Sequence, residues 1–356
     1  MTDIHQATRA YETWLRRRIK VVDADLRLKH LRMAESPFVF LRGTFYRWLQ
    51  LWPVVCDSLV DAPRVLAVGD VHVENFGTWR DAEGRLVWGI NDVDEACELP
   101  YTQDLVRLAT SALLAVQAEH FSLAAEAACA AVLDGYRASV ERGGSPVVLA
   151  ERRRWLRLIA TNDLRDPAQF WEKLHMNATV RGSLPDRAMD ALKAMMPRGV
   201  RVERVARRSA GVGSLGRPRF VALATWGGAY VAREAKSWVP SSGARDRSTS
   251  SDLKRLIERA VRVPDPCFAL PDGWIVRRLA PDCTRIELIE LPKRRDEGRL
   301  LRAMGWEVGN MHLGSPTGRV LVHLSERKRG WLERASIRMA RAVEDDWRAW
   351  RSRHAE

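Results

Sequence analysis

The chain has 356 residues, of which 46% are hydrophobic, and its 58 Lys and Arg residues outnumber its 45 Asp and Glu residues to give a formal net charge of +13. This length allows a large buried core, as one large domain or two moderate ones, and no apolar stretch is long enough to predict a membrane span. The charge favours an anionic partner. It leaves nucleic acid as an open but weaker option, because the basic runs fall in helix-like stretches typical of solvated faces.

The cysteines are odd in number, far apart in the sequence and without a C-x-x-C pair: Cys56, Cys97, Cys129, Cys267 and Cys283. Neither a disulfide framework nor a zinc ribbon has this spacing. The first residues also lack the charged, apolar and small-residue regions of a secretory leader. We therefore expect a protein of the reducing cytoplasm with no membrane partner.

Apolar periodicity predicts three helices between residues 4 and 59. Two strand-like runs follow at residues 64–68 and 85–90, and the turn residues 81–84 favour a hairpin there. From residue 101 to about residue 194 the pattern is helical again.

The character of the sequence changes near residue 198. β-type runs separated by Gly, Pro and Ser occupy residues 200–205, 220–226, 229–235 and 274–279, with one helix at 252–263. Helical patterns resume at residues 297–312 and 331–354. The sequence therefore predicts an α+β protein with a helical lobe at 1–197, a β-rich lobe at 198–292 and C-terminal helices at 293–356 that complete the helical lobe.

A glycine-punctuated loop follows the strand at residues 64–68 and contains Asp70, His72 and Asn75. Phosphoryl transfer requires a carboxylate that accepts the proton of the attacking hydroxyl, and a neutral oxygen that helps to hold Mg²⁺ on the phosphates. The D-x-x-x-x-N spacing supplies both. A simple turn capped by Asp and Asn is the alternative for either residue alone.

A second loop carries Asp92 and Asp94 at alternate positions. Carboxylates are hard oxygen ligands that suit Mg²⁺. A di-metal hydrolase that combines His72 with these carboxylates is the main alternative for the whole set, although no second histidine cluster completes it.

The segments G-D-V-H-V-E-N and I-N-D-V-D-E-A resemble the H-G-D-x-H-x-x-N and I-D-[FW]-x-x-A motifs of aminoglycoside and choline kinases, a branch of the protein-kinase-like fold. The resemblance implies that Asp70 is the catalytic base and that Asn75 and Asp92 are metal ligands. Asp94 is a further candidate ligand, and His72 is grouped with Asp70 as a catalytic candidate. Asp104 occupies the place of an aspartate that supports the catalytic loop from the following helix.

Together with the segment Ser36–Gly43 and a later glycine-rich run, these motifs also resemble a bacterial family called domain of unknown function 2252, over most of the chain. The family label names no substrate. Arg42 is a candidate for binding an anionic group, and a structural role at a helix end is the alternative.

The later run has the form G-x-G-x-x-G, with Gly211, Gly213, Ser214 and Gly216. A dinucleotide-binding run would open a helix, whereas this one leads into a strand. It therefore favours a glycine-rich β-hairpin over the phosphates of ATP, and an ordinary hairpin turn is the alternative.

The second strand after this run ends at Lys236. In kinases such a lysine pairs with the α- and β-phosphates and with a glutamate of a nearby helix, for which Glu258 is the candidate. Arg233, on the opposite face of the strand, is the alternative phosphate partner if the register differs.

In kinases the glycine-rich lobe precedes the catalytic loop, but here it follows it. Residues 304–312 resemble the helix ending in L-H that leads into that loop. The order therefore indicates a circular permutation, which nearby surface termini tolerate.

Together these features predict an ATP- and Mg²⁺-dependent phosphotransferase acting on a hydroxyl of a small molecule or protein, with an anionic acceptor favoured by the charge. A nucleotidyl transferase and a nucleotide-binding regulator with a basic docking surface stay open as alternatives.

Overall fold

The computed structural model describes residues 2–118, 121–149, 153–161, 166–182, 184–185, 187–245, 251–283, 285, 288 and 296–354. The predicted lobe boundary at residues 292–293 lies outside these ranges. Within them the chain is an α+β protein with several small antiparallel sheets. No described helix is both long and apolar enough to cross a bilayer.

Four helices open the chain, where the sequence predicted three: α1 (Ile4–Arg16), α2 (Asp23–Glu35), α3 (Pro37–Gly43) and α4 (Phe45–Val55). The extra boundary falls at Ser36. Its hydroxyl accepts a hydrogen bond from the Val39 N–H at 3.2 Å, and Pro37 follows at the first helical position. Serine caps and proline at this position both favour a new helix start.

The next part of the chain forms two small sheets, from β1 (Arg64–Ala67), β2 (Phe76–Arg80), β3 (Leu86–Ile90), β4 (Cys97–Pro100) and β5 (Val147–Val148). β1 pairs with β4, while β2, β3 and β5 form a three-stranded sheet. The predicted hairpin is formed by β2 and β3 across residues 81–84, and the predicted strand at 64–68 belongs to the other sheet. The loops at 68–75 and 91–96 connect the two sheets.

Helices from distant parts of the sequence build the large core. Besides α2, α3 and α4 they include α5 (Tyr101–Gln117), α6 (Ala125–Arg142), α7 (Arg154–Ala160), α11 (Glu297–His312), α12 (Gly318–Ser325) and α13 (Trp331–His354). α6 and α11 pack so closely that a Cβ at Gly135 would lie 1.9 Å from the Arg302 carbonyl oxygen. The glycine therefore permits this approach.

The helices at the two ends of the chain are neighbours. Arg47 of α4 donates a hydrogen bond to the Thr2 carbonyl at 2.9 Å and pairs with Asp346 of α13 at 2.6 Å. The rings of His5 and Trp350 stack with their centroids 5.4 Å apart.

The smaller lobe is an antiparallel sheet in the order β6 (Arg204–Arg207), β7 (Arg219–Trp226), β8 (Ala229–Ser237), β9 (Trp274–Leu279). α8 (Pro167–His175) packs Leu174 on one face, and α9 (Ala188–Ala194) packs Leu192 on the other. These two helices thus share a core with the sheet although they precede residue 198. α10 (Ser251–Arg259) lies between β8 and β9 in the sequence.

Candidate functional site

Asp104, in the first turn of α5, fixes the start of the loop at residues 68–75. Its carboxylate accepts hydrogen bonds from the backbone N–H groups of Val68 at 2.7 Å and Gly69 at 3.0 Å. His312, at the end of α11, places Nε2 3.0 Å from the same carboxylate. Gly69 has a φ of +82°, and a Cβ there would lie 2.4 Å from the Glu95 carbonyl oxygen. The loop conformation therefore requires glycine at this position.

Asn75 joins the loop at 68–75 to the loop at 91–96. Its amide nitrogen donates to the carbonyl oxygens of Asp70 at 3.0 Å and Asp92 at 2.9 Å, and its Oδ1 accepts from the Asp92 N–H at 2.9 Å. The amide thus connects backbone to backbone, and its predicted role as a metal ligand stays a prediction.

Asp70 is held by an arginine that the sequence analysis did not select. Arg107, one helical turn after Asp104 and 1% exposed, donates to Oδ1 of Asp70 from Nε at 3.0 Å and also from a terminal nitrogen. Burial raises the pKa of the Asp70 carboxyl to about 7, while the Arg107 guanidinium acts in the opposite direction. The carboxylate lines the cavity described below. Any proton that it accepts there is taken up next to the Arg107 guanidinium.

His72 is 8% exposed, and its Nδ1 has no hydrogen-bond partner in the described residues. Burial and the nearby guanidinium groups of Arg42 and Arg107 hold the pKa of His72 well below its ordinary value. The imidazole is therefore neutral at pH 7. Arg42 forms an ion pair with Glu74 on the same side of the site.

Asp92 and Asp94 face the small lobe. The Lys236 ammonium at the end of β8 lies 2.9 Å from Asp92 Oδ1 and 3.1 Å from Asp94 Oδ2. Arg217 adds contacts to Asp94 at 2.7 Å and to Glu95 at 3.2 Å. Burial would raise the pKa of Asp92, but Lys236 and the hydrogen bond with Asp94 outweigh it and hold that pKa well below its ordinary value.

The glycine-rich run lies in the connection between the paired strands β6 and β7, and residues 212–214 form a 3-10 turn. Gly211 has a φ of +74°. A Cβ at Gly213 would lie 2.9 Å from the Arg42 carbonyl oxygen and 3.3 Å from Asp70 Oδ2. The run therefore lies directly over Asp70, and its backbone approaches closer than any side chain would allow.

Two further residues of the run that were predicted to bind nucleotide, Ser214 and Gly216, contact different parts of the protein. Ser214 accepts a hydrogen bond from Arg219 at 2.6 Å, so its hydroxyl is held by the sheet. Gly216 accepts a hydrogen bond from the Val22 N–H at 2.9 Å, so its carbonyl is held by the N-terminal end of α2.

Glu258 does not approach Lys236 in this structure. It lies on the exposed side of α10 and is 3.8 Å from Lys254 one turn away. The carboxylates that pair with Lys236 come from the loop at 91–96 instead. Arg233 points to the other face of β8, where it donates to the Met195 carbonyl at 2.7 Å. Of the two cations considered, only Lys236 faces the site.

The charged face of the small sheet continues beyond Lys236. Glu234, fully buried on β8, pairs with Arg208, with Arg219 at 2.8 Å and with Arg277 at 3.0 Å. Burial opposes ionisation of Glu234, but the three guanidinium groups outweigh it and hold its pKa well below the ordinary value. Three cations on one carboxylate leave an excess of positive charge next to Lys236.

The loops at 68–75 and 91–96 and the glycine-rich run enclose a cavity of about 40 Å³. Its lining includes Asp70, His72, Asn75, Asp92, Asp94, Gly211, Gly213 and Ser214. This volume suits a water molecule or a small ion and is too small for a nucleotide in this conformation.

No group of three or more His, Cys, Asp or Glu residues in the described ranges has the geometry of a metal site. Asp92 is nevertheless 44% exposed at its side chain, and both its carboxylate and that of Asp94 are oxygen donors. Mg²⁺ is commonly held by one or two carboxylates together with substrate phosphates. The residues therefore fit a metal ion that arrives with phosphates.

Sequence reasoning missed Arg107, Arg217 and Arg277. Arg107 had a local signal, because it lies three residues after Asp104 and thus on the same face of α5. Arg277 had none, since its partner Glu234 is a cross-strand neighbour that only the sheet register identifies.

Residues 18–178 match the model of a family described as an uncharacterized protein conserved in bacteria (DUF2252). The resemblance to this family is confirmed over that range, which is somewhat less than half of the chain. The matched range includes the loops at 68–75 and 91–96 but neither the glycine-rich run nor Lys236. No curated protein and no solved structure matches the chain, so the predicted similarity to kinases stays a prediction.

Proposed function

We propose that the chain is an ATP- and Mg²⁺-dependent phosphotransferase whose nucleotide binds between the small sheet and the loops at 68–75 and 91–96. The observation that carries the proposal is the convergence of Lys236, Asp92, Asp94 and Asp70 with the run at 211–214, from distant parts of the sequence. A lysine that contacts phosphates and an aspartate that holds Mg²⁺ are recurring parts of phosphoryl-transfer sites, and Lys236 faces such carboxylates across the two lobes.

In this proposal Asp70 orients and deprotonates the acceptor hydroxyl, and Arg107 holds its carboxylate in place. Lys236 exchanges its ion pairs with Asp92 and Asp94 for the nucleotide phosphates, which frees Asp92 for the metal, while Asp94 keeps its ion pair with Arg217. Mg²⁺ would neutralise charge on the transferred phosphoryl group. The excess positive charge of Arg208 and Arg277 beside Glu234 favours a polyanionic ligand there.

The permuted protein-kinase-like architecture is part of the same proposal. Its support is threefold: the run at 211–216 joins the first two strands of the small sheet, Lys236 lies near the end of the third, and His312 contacts Asp104, which holds the loop at 68–75. The neighbouring ends of the chain provide the proximity that a permutation needs.

A transfer assay with the two possible labels tests this function. We expect Mg²⁺-dependent release or transfer of label from γ-³²P-ATP, with none from α-³²P-ATP. Transfer of the α-label would instead identify a nucleotidyl transferase, which uses a similar cradle. Label that stays in intact ATP while Mg-ATP binds would favour a regulator.

The regulator is favoured by one observation, the pairing of Asp70 with the buried Arg107. The Arg107 guanidinium reduces the rise in the pKa of Asp70 that burial causes, so the paired carboxylate is a weaker proton acceptor than an unpaired one at the same place would be. Arg107→Met separates the two functions, because restored or increased turnover would indicate a restrained base, whereas binding without turnover in both forms would indicate a regulator.

A further inference from the structure

A second concave site lies on the helical lobe, where the connection between α12 and α13 meets the 3-10 turn at residues 57–59. Its volume is about 650 Å³. Its lining residues come from positions 58–59 and 326–341, and none of them lines the cavity at Asp70. This volume lies in the range of pockets for small organic ligands. We refer to it as the α13 groove.

The α13 groove is strongly basic. Five cations and one carboxylate, Glu326, line it. The cations are Arg327, Lys328, Arg334, Arg338 and Arg341. Positions 334, 338 and 341 are four and three residues apart, so these side chains share one face of α13.

Most of these cations are not neutralised by the protein. Over the described ranges of the chain, no carboxylate lies within 4.0 Å of Arg327, Lys328, Arg338 or Arg341. Arg334 donates a hydrogen bond to the Arg329 carbonyl at 2.9 Å. Unpaired like charges around one concavity repel each other, and a bound anion would relieve that repulsion.

The cations of α13 that line the groove occupy a short length of the helix. Beyond Arg341, Arg348 is paired with Glu344 at 3.3 Å and with Asp345 at 2.8 Å. On the other side, Arg329 lies 3.9 Å from Glu126. Positions 334 to 341 span roughly 10 Å at the α-helical rise, which suits a compact anion better than an extended polynucleotide.

Apolar side chains occupy the same groove. Leu59, Trp331 and Ala335 are buried in its floor, and Ile337 is half-buried. We propose that the α13 groove binds a compact organic phosphate, with its phosphates on Arg338, Arg341 and the Arg327–Lys328 pair and its apolar part on this floor. The site is separate from the proposed ATP cleft and does not depend on the proposed function.

The test uses photolabelling of the whole chain with 8-azido-ADP, followed by peptide mapping, and titration with ADP and with pyrophosphate. We expect labelled peptides within residues 326–341, and tighter binding of ADP than of pyrophosphate because only ADP has a part that covers the apolar floor. The variant R338Q/R341Q should lose the label there and weaken ADP binding to this site on the order of 10- to 100-fold.

The control R348Q/R351Q removes the same charge from the same helix outside the groove and should leave labelling and affinity unchanged. Equal losses in both variants would overturn the proposal, since they would indicate only general attraction to a basic protein. Label confined to residues 204–236 or 68–96 would also overturn it. A third outcome would also overturn it: no labelling of the groove by 8-azido-ADP, together with binding of a single-stranded 20-mer oligonucleotide that is lost in R338Q/R341Q. The occupant would then be a polynucleotide.

Discussion

The ammonium group of Lys236 lies 2.9 Å from Oδ1 of Asp92, although 144 residues separate the two in the sequence. The pair connects the end of β8 to the loop at 91–96 across the candidate cleft. Lys236 helps to hold the pKa of Asp92 well below its ordinary value, and both residues are predicted contacts of Mg-ATP. In the proposed function this ion pair breaks when nucleotide binds, which gives testable consequences for both residues.

Asp92→Ala should lose most of the thermal stabilisation that Mg-ATP gives the wild type. A ligand that binds only the folded state stabilises it by about 2.7 kcal/mol at 100 times its Kd, and Asp92 is the more exposed of the two candidate metal carboxylates. The measurement is the Tm of each variant with and without Mg-ATP. Asp134→Ala, an exposed aspartate on α6, is the control, and a full shift in Asp92→Ala would remove Asp92 from the metal site.

Lys236→Met should weaken ATP binding on the order of 10-fold or more, because a charge-assisted contact to phosphate is lost. Glu258→Gln should leave the affinity unchanged, since Glu258 lies on the exposed side of α10 beside Lys254. Titration calorimetry with ATP compares the two. An equal loss in both variants would restore the predicted pairing of Glu258 with Lys236 and require a movement of α10.

Asp70→Asn should lower kcat on the order of 10² to 10⁴-fold, the usual effect of removing a positioned general base. The KM for ATP should change little, because no nucleotide contact is assigned to this side chain. The asparagine oxygen still accepts from Arg107, so the fold should persist, and its Tm serves as the control. Phosphate transfer at the wild-type rate by the folded variant would contradict the assignment of Asp70.

Gly213→Ala should destabilise the fold by about 1–3 kcal/mol, as overpacking does. The added Cβ would lie 2.9 Å from the Arg42 carbonyl oxygen, a backbone atom that cannot rotate away. Gly318→Ala is the matched control, because nothing lies within 4 Å of a Cβ there. The free energy of unfolding in urea measures both, and equal values would mean that the run does not rest on the Arg42 backbone.

Glu307→Gln should stabilise the protein at alkaline pH. Burial raises the pKa of Glu307 to about 7 from an ordinary 4.5, while a hydrogen bond from Asn310 opposes the rise. The folded state therefore binds this proton more tightly, and stability falls as pH rises from about 4.5 to 7. Above pH 8 the ionised group costs about 3 kcal/mol, which glutamine avoids.

Urea unfolding at pH 5 and pH 8.5 checks this, because other titrating groups contribute equally to both proteins. The difference between variant and wild type should be small at pH 5 and large at pH 8.5. A difference that does not change with pH would show that Glu307 keeps an ordinary pKa in the folded chain.

Helices and strands with strong local signals could be predicted from the sequence alone. The helices at 297–312 and 331–354 and the strand at 274–279 have the predicted bounds, because apolar periodicity and turn residues act over a few neighbours. The D-x-x-x-x-N spacing likewise predicted that Asp70, His72 and Asn75 lie in one loop, since residues within five positions of each other in a loop stay close in space.

Which charged side chains pair with each other depends on how the elements pack in three dimensions. The pairing of Lys236 with Asp92, of Asp70 with Arg107, and of Glu234 with its three arginines depends on sheet register and lobe packing, which no short segment encodes. Glu258 is a further example. Its helix was predicted from the sequence, but its position on the exposed face of that helix was not. A charged side chain takes its partner from whatever the packed backbone brings within about 4 Å, and that distance is fixed only when the apolar core has formed.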